Sequence, residues 1–478
     1  MPDLTPLLDA ARQASWHERD LVKLETYAYH SCGDSHAVLR RLKLSLGTTD
    51  FDPDLFIIAI IALYRLGRFE EAYQNLTDLG DREHLFAGRS DFANTAALIC
   101  QAANRPTETR RYIDTAWSLA PDDTTVALNA YGIYFGLGDL EAFEQVRETF
   151  QQGNHDLELS GFTLANVELA QGHYEEGFRL LEHRYQMQEA HRYLNRALFA
   201  IPRWQGERLQ DKALLISAEQ GLGDTIQMAR FLPKLESSSA ARLFMESQPE
   251  TVTLLKFNFP QIEIIIREHG KTPPVKFDLW TGLMSLPHRL GTTANTVPGR
   301  SGYLNIPPDN SEYWCARVNT LARQGKPRIG LAWSGEPTHR ADRRRSIPFA
   351  LMMEAIRPID ADFFALQTHV PSDLSEHLIN VSDEMITLAD TAALIAEMDL
   401  IITVDTSIVH LAGAIGKETW LLLPYRYEWR WGLSGERNNW YESVKVLRQP
   451  THGDWDSVLS DVFGHRFTSH VWSKQERQ

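Results

Sequence analysis

Cysteine is scarce in this chain of 478 residues, which contains only Cys32, Cys100 and Cys315. Because the three are far apart and odd in number, they argue against a disulfide framework and against a cysteine-based metal cluster. Low-complexity tracts are absent too, and the shares of hydrophobic residues (43%) and charged residues (23%) are those of an ordinary folded protein.

Long apolar runs and an excess of positive charge are also missing. The most apolar run, residues 55–64, is about half as long as a membrane-spanning helix needs to be. The first four residues show no start of a secretory signal. The formal net charge of −15 disfavours nucleic-acid and anionic-membrane partners, which need a basic surface. We expect a cytoplasmic protein without stable membrane insertion and without a nucleic-acid partner.

The length predicts two or three domains, and the first of them repeats. A turn residue recurs between apolar helical runs at spacings of 34, 37, 34 and 34 residues. Glycine adopts the positive φ that such a turn requires, and asparagine tolerates it best among the others. The five turn residues are Gly33, Gly67, Asn104, Gly138 and Gly172. A period of 34 is that of the tetratricopeptide repeat.

Arrays of this kind stack into a solenoid whose concave face usually holds a peptide or a protein. The unit around Asn104 departs from the pattern, because a three-residue insertion precedes it and Thr109 occupies the usual alanine position. An alternative is open, in which the array only supports the rest of the chain or forms a dimer.

Beyond about residue 205 the pattern becomes one of alternating strands and helices. The buried runs predict strands at 213–217, 241–245, 262–266, 328–333, 363–367, 400–404 and 419–423. Such alternation predicts parallel, doubly wound sheets that bind ligands at the carboxyl ends of their strands. The fold class is therefore α + α/β. We expect a helical-repeat domain over 1–195, one Rossmann-like half over 196–308 and a second, donor-binding half over 309–478, with a cleft between the halves.

The first loop with chemical potential is 219–224, between a strand and a helix. Gly221 and Gly223 would let the backbone approach a ligand at the helix N-terminus. Glu219 and Asp224 would bring carboxylates to the edge of the cleft, where they are the candidate catalytic groups. The alternative is that this segment is only a tight turn.

The second loop follows the strand at 328–333 and holds four arginines within 340–345. In an acidic protein this patch could neutralise a phosphate leaving group. The alternative is a solvated loop that forms surface salt bridges. The donor-binding candidates of this half are Trp333, Ser334, Gly335, Arg344, Arg345 and, after the next strand, Gln367.

The third loop follows the strand at 400–404. Thr406 and Ser407 are good N-cap residues, so the helix that they open should offer free N–H groups and its dipole to a phosphate. Asp405 precedes this helix and His410 lies within it. A lone histidine on a helix is more often structural than catalytic, but the neighbouring Asp-Thr-Ser sequence favours a ligand contact.

Together these motifs resemble those of bacterial tetratricopeptide-repeat glycosyltransferases, which are related to the lipopolysaccharide heptosyltransferases and share their two-Rossmann GT-B architecture. The motifs are Trp204-Gln205-Gly206, 219–224, Arg344-Arg345-Ser346, Asp390-Thr391-Ala392, 404–414 and Trp429-Arg430-Trp431. The resemblance implies an inverting transfer from a nucleotide sugar, without metal or resident cofactor. It also implies that Asp224 is the general base, that Asp405, Thr406 and His410 meet the donor, and that Arg345 lies near its phosphate.

A solenoid would be a costly attachment for an enzyme that acts only on small molecules, so we expect a protein acceptor that the repeats hold. By resemblance to similar repeat-bearing enzymes, flagellin is the leading candidate, and with it an activated nonulosonic acid such as CMP-pseudaminic acid is the expected donor. Ser217-Ala218 before Glu219 departs from the animal-type O-GlcNAc transferases, so we do not infer UDP-GlcNAc. Two alternatives stay open: a heptosyltransferase-like enzyme with a lipid or polysaccharide acceptor, and a non-catalytic repeat scaffold.

Overall fold

The computed structural model describes residues 18–43, 51–152, 157–186, 195–236, 242–268, 270–336, 342–371, 377–425 and 428–467. The chain divides into two compact units, Met1–Asp156 and Leu157–Gln478. None of the helices within the described ranges has the length and apolar character needed to cross a membrane.

The first unit consists of helices in pairs. They are α1 (Glu18–Ser31), α2 (Ser35–Lys43), α3 (Pro53–Arg65), α4 (Phe69–Thr77), α5 (Ser90–Ala102), α6 (Pro106–Leu119), α7 (Thr124–Leu137) and α8 (Leu140–Gln152). Local sequence explains several of the helix ends. Asp52, for example, caps α3 by accepting from the backbone N–H groups of Asp54 and Leu55, and Pro53 occupies the first turn.

A left-handed residue separates the two helices of each pair, as the sequence predicts. The φ angles are 76° at Gly33, 73° at Gly67, 58° at Asn104, 74° at Gly138 and 86° at Gly172. The Asn104 turn lies between α5 and α6, so the insertion in that unit leaves the helix–turn–helix geometry intact. The predicted helical architecture of the N-terminal region is confirmed.

The second unit begins with the fifth helix pair, α9 (Leu157–Gln171) and α10 (Tyr174–Leu181). A four-stranded parallel sheet follows, formed by β1 (Ala213–Ser217), β2 (Arg242–Ser247), β3 (Ile262–Ile266) and β4 (Leu279–Gly282) in the order β3-β2-β1-β4. Its helices are α11 (Leu222–Ala229), α12 (Leu232–Glu236), α13 (Val252–Asn258) and α14 (Leu286–Arg289).

A six-stranded parallel sheet occupies the rest of this unit, in the order β10-β9-β8-β5-β6-β7. The strands are β5 (Arg328–Ala332), β6 (Asp362–Ala365), β7 (Leu378–Asn380), β8 (Leu400–Val404), β9 (Thr419–Leu423) and β10 (Val444–Arg448). The helices are α15 (Pro308–Leu321), α16 (Asp342–Arg345), α17 (Phe349–Ile356), α18 (Leu388–Ala396), α19 (Ser407–Ala414) and α20 (Trp455–Leu459).

The predicted combination of an N-terminal helical region with parallel α/β sheets is thus confirmed. Most predicted strands agree with the observed ones to within one or two residues. Strands β4, β7 and β10 are not predicted by the sequence pattern. The pattern predicts a single helix from Thr225 to Lys234, where the structure has α11 and α12.

Candidate active site

Four loops of the second unit meet at the carboxyl ends of parallel strands. Asp224 follows β1, Arg345 follows β5, Asp405 follows β8 and Arg430 follows β9. Strands β9, β8 and β5 are neighbours in one sheet, so their loops emerge along the same edge. Helix α11 of the first sheet packs against α19 of the second. This packing brings Asp224 to the loops of the larger sheet.

The start of α11 holds Asp224 in a defined orientation. Its Oδ2 accepts a hydrogen bond of 3.0 Å from the backbone N–H of Gly221, the N-cap residue, as in the return arm of a capping box. Its Oδ1 forms an ion pair with the guanidinium of Arg430. The side chain is 17% exposed. Each carboxylate oxygen has two lone pairs, so these bonds leave acceptor capacity for a hydroxyl.

Arg430 lies in a short 3-10 turn, Trp429–Trp431, and binds several groups at once. Its Nη2 pairs with Asp224, its Nε donates to Gln227 Oε1 at 2.7 Å, and its Nη1 pairs with Glu428. The guanidinium also lies 4.2 Å from the centroid of the Trp429 ring. Asp224 and Gln227 are three residues apart on one helix face, so Arg430 binds α11 through two side chains.

Arg345 connects the loops after β5 and β8. Its Nη1 donates to the backbone carbonyl of Asp405 at 2.7 Å, and its Nε lies 3.3 Å from Asp342 Oδ1. Gly335 makes room for this arginine, because a Cβ at that position would collide with the guanidinium. The predicted neighbourhood of Gly335, Arg345 and Asp405 therefore exists, and it places one positive charge beside the start of α19.

Helix α19 begins as predicted. Thr406 is the N-cap, with an extended backbone, and its Oγ1 accepts from the N–H of Ile408 at 3.3 Å. Thr406, Ser407 and Asp405 are half-buried, between the protein interior and solvent. A helix N-terminus with this exposure is suited to binding a phosphate oxygen.

Burial raises the pKa of two carboxyl groups in this site. The pKa of Asp405 lies above its usual range because of burial, opposed by Arg345 and then by Arg430. Burial raises the pKa of Glu428 to about 7; Arg430 lowers it and the Asp405 carboxylate raises it further. Close to neutral pH Glu428 is therefore partly protonated, so Asp224, Asp405 and Glu428 together carry fewer than three negative charges. This reduced charge favours an anionic ligand.

Glu428→Gln should change the pH dependence of stability. An unfolded glutamate titrates near 4.5 and the folded Glu428 at about 7. Between these values the folded state binds more protons than the unfolded one, so Glu428 makes the protein less stable as pH rises. Glutamine does not titrate. The stability of the variant relative to wild type should rise across this window, as measured by urea unfolding at successive pH values. If the difference in free energy of unfolding between the variant and wild type does not change with pH, the raised pKa of Glu428 is contradicted.

Glu219 is placed differently from the prediction, which had its carboxylate at the edge of the cleft. The residue is 1% exposed. Its Oε2 accepts from Arg184 Nη2 at 2.9 Å and from the backbone N–H of Met284 at 3.1 Å, and its Oε1 accepts from the Tyr185 hydroxyl at 3.2 Å. Burial raises its pKa, opposed by Arg184. The prediction of a cleft position is wrong, because the segment after α10 covers this carboxylate.

His410 and Gly223 contact each other. A Cβ on Gly223 would lie 2.7 Å from His410 Cδ2, so this glycine accommodates the imidazole of α19 where the sequence reading expected a ligand. His410 is buried, its Nδ1 lies 3.0 Å from the Tyr441 hydroxyl, and its ring stacks on Trp431. Burial holds the pKa of His410 well below its usual range. Its contact with a donor stays a prediction.

Trp333 and Gln367 shape the loop after β5 from inside the protein. Trp333 is buried and packs against Phe349. Gln367 Oε1 accepts from the backbone N–H groups of Trp333 and Ser334 at 2.6 and 3.0 Å, and its Nε2 donates to the Ser334 hydroxyl at 2.7 Å. These side chains position Ser334. Arg344 is half-buried beside Arg345, and residues 337–341, which include Arg340 of the arginine run, lie outside the described residues.

The sequence reading missed Arg430 and Glu428 as members of the site. Their signal was the Trp429-Arg430-Trp431 motif, which it used for the family resemblance alone. Among the described residues, no group of three or more His, Cys, Asp or Glu side chains is arranged to hold a metal ion.

Residues 368–439 match the model of glycosyltransferase family 9 (heptosyltransferase), and this segment contains Asp405, Glu428 and Arg430. The match supports a glycosyltransferase. Protein FlbA of Caulobacter vibrioides is 27% identical over 385 residues, which cover 73% of this chain and 62% of FlbA. The chain thus spans less than two thirds of that relative's length.

Two solved structures also align with the chain. The E. coli ADP-heptose LPS heptosyltransferase II is 14% identical, with 56% of this chain and 100% of that one covered and a TM-score of 0.39. An O-GlcNAc transferase of Thermobaculum terrenum is 11% identical, with 94% and 90% covered and a TM-score of 0.35. At these TM-scores the two similarities carry no argument about this chain.

Proposed function

We propose that the chain is a GT-B glycosyltransferase that moves a sugar from a nucleotide sugar to a Ser or Thr hydroxyl of a protein, by inverting transfer without metal, in the cytoplasm. The observation that carries this proposal is the meeting of Asp224 with the loops of the larger sheet. The half-exposed carboxylate of Asp224 pairs with Arg430 from the other sheet, and the neighbouring Gly223 lies close to Ser407 at the start of α19. Arg345 binds the Asp405 carbonyl just before that helix. A base and a phosphate site are thereby adjacent.

Transfer requires a base that takes the proton of the acceptor hydroxyl while its oxygen attacks the anomeric carbon. Asp224 is suited to this step, because its carboxylate is fixed on both sides and retains free lone pairs. Glu219 is unsuited, since its carboxylate is buried and fully bonded.

The departing nucleotide phosphate requires positive potential that is already in place. Arg345 and the N-terminus of α19 supply it, and the bond from Arg345 to the Asp405 carbonyl holds the two together. The pKa of Glu428, which burial raises to about 7, reduces the negative charge that would repel the phosphate near neutral pH.

For the acceptor we propose a protein that binds the helical array, which we interpret as tetratricopeptide repeats. Flagellin is the leading candidate for this acceptor, and CMP-pseudaminic acid is the corresponding donor. The 34-residue spacing and the four helix–turn–helix pairs of the first unit support a binding surface on that unit. The second candidate is transfer of heptose to a lipid or polysaccharide. It is favoured by the family description that residues 368–439 match.

A thermal-shift screen of nucleotides tests this function and separates the two candidates. A ligand that binds the folded chain raises its melting temperature by mass action. A shift specific to CMP would support a nonulosonic acid donor, and one specific to ADP would support a heptose donor. If no nucleotide changes the melting temperature of the intact chain, the nucleotide-sugar site does not exist.

Arg345→Ala should weaken binding of the preferred nucleotide about tenfold or more, the usual scale for loss of a charge-assisted hydrogen bond. Isothermal titration calorimetry measures the change. Arg357→Ala is a matched control, because Arg357 is an exposed arginine of the same half, at the end of α17. Equal affinities in wild type and the Arg345 variant would place the phosphate elsewhere.

A further inference from the structure

Arg430 contacts one face of α11 through two separate bonds. It reaches Asp224 Oδ1 with Nη2 and Gln227 Oε1 with Nε, and both partners lie on the helix that begins at the glycine turn. Arg430 itself belongs to the loop after β9, so this contact joins the two sheets of the second unit. It is 12% exposed, which limits the alternative positions open to its guanidinium.

Other contacts hold Arg430 in turn. Glu428 accepts from the Arg430 backbone N–H at 2.8 Å with Oε2 and pairs with its guanidinium through Oε1. The Trp429 ring lies against the guanidinium. The side chain is therefore fixed by its own loop before it reaches Asp224. Such an arrangement orients a carboxylate better than a flexible lysine could, because the planar fork loses less freedom per bond.

We propose that Arg430 is a positioning residue for transfer: it sets the orientation of the Asp224 carboxylate towards the acceptor hydroxyl and does not itself hold the donor. The proposal rests on the proposed function of Asp224 as general base. The charged and titratable groups that interact with Arg430 are Asp224, Glu428, Asp405 and His410. Proton transfer depends steeply on such geometry, and a misplacement of about 1 Å can cost a hundredfold in rate.

Arg430→Lys tests this directly, since it keeps the charge and removes the fork. With CMP-pseudaminic acid and flagellin as substrates, and ADP-heptose as the alternative donor, kcat should fall about tenfold or more while the donor KM changes little. Arg317→Lys is the control for a generic arginine replacement. Arg317 pairs with Glu384 in the same half, away from the site, and this variant should keep wild-type kcat.

A double-mutant cycle separates positioning from mere structural support. If Arg430 acts through Asp224, Arg430→Lys should lower kcat in the wild-type background and have little further effect on the residual rate of Asp224→Asn. Equal losses in both backgrounds would overturn the inference. If Arg430→Lys keeps the wild-type kcat while Asp224→Asn is slow, the positioning role of Arg430 is overturned and the assignment of Asp224 as base stands. A fully active Asp224→Asn would overturn both it and the assignment of the base.

One readout needs no substrate. A crystal structure of Arg430→Lys without ligand should show the Asp224 carboxylate in a different rotamer or in several rotamers. An Asp224 side chain that keeps the wild-type rotamer in a folded Arg430→Lys would overturn the positioning role, whichever donor and acceptor the enzyme uses.

Discussion

Asp224→Asn should lower the rate of transfer about a hundredfold or more, the usual scale for loss of a general base. Asparagine has nearly the same shape as aspartate but cannot accept the acceptor proton at neutral pH. Its amide oxygen can still accept the backbone bond from Gly221, so the turn should survive. Nucleotide binding should change little, because the proposed phosphate site is formed by Arg345 and the start of α19, whereas Asp224 bonds to Gly221 and Arg430. Rates of sugar transfer and calorimetric affinities measured on the same preparation test both parts.

Asp390→Asn is a close structural control for that variant. Asp390 also occupies the third position of its helix, α18, and its carboxylate also accepts from the N-cap backbone, at Thr387, at 2.8 Å. Asp390→Asn therefore makes the same chemical change at a helix cap without altering the four loops of the site. If the two variants slow transfer equally, the effect is structural and Asp224 is not the base. Normal turnover in Asp224→Asn would lead to the same conclusion.

A chain that begins at residue 195 should fail to fold, whereas one that begins at residue 157 should fold. The reason is that the fifth helix pair belongs to the second compact unit. Arg184 and Tyr185, just after α10, supply the partners of buried Glu219, and Ser285 accepts from Arg184 at 2.8 Å. Truncation at 195 removes both partners and leaves a carboxylate buried without its cation.

The same truncation removes aromatic packing. Tyr174 stacks on Trp440 with ring centroids 5.4 Å apart, and Phe178 meets Trp429 edge-on at 6.0 Å. Trp429 belongs to the Arg430 turn, and truncation would expose both Trp429 and Trp440. Solubility and near-ultraviolet circular dichroism compare the two truncated chains. A folded chain from residue 195 would show that the fifth pair is dispensable.

Point variants isolate the ionic part of this prediction. Arg184→Met should lower the free energy of unfolding by about 3–5 kcal/mol, the usual cost of leaving one buried charge unpaired. Adding Glu219→Gln should recover part of that loss, because the uncompensated charge is gone. Urea unfolding of the three proteins measures both effects. A double variant that is no more stable than Arg184→Met alone would mean that lost packing dominates and the charge does not.

Much of the fold is predictable from local sequence. Positive φ at Gly67 or Asn104 follows from what those residue types tolerate, and β8 and β9 follow from short runs in which four of five residues are apolar. The cap at Thr406 follows from its hydroxyl next to an apolar helix. The strands that were missed are those with weaker signals. For example, β7 spans only Leu378–Asn380, which is too short for a periodic pattern.

The sequence predicts which loops form the site, but it does not predict which side chains form ion pairs within it. Parallel strands deliver their carboxyl ends to one edge, which is why Asp405 and Arg345 are neighbours as expected. The direction of each side chain depends on packing between distant segments. Asp224 and Arg430 are 206 residues apart in sequence, and Arg184 and Glu219 belong to different elements. Glu219 and Asp224 share a turn, yet one is buried and the other half-exposed.

The sequence by itself determined the elements, because helices, turns and strands depend on residues within a few positions of one another. It also placed the candidate residues after particular strands. The tertiary structure alone decided which carboxylate remains at the surface of the site and which arginine holds it. Those outcomes depend on the packing of α11 against α19 and on the cover that the segment after α10 forms over Glu219. Contacts between residues that are far apart in the chain produce no periodic pattern in a single sequence, since the pattern around each residue reflects only its own helix, strand or turn.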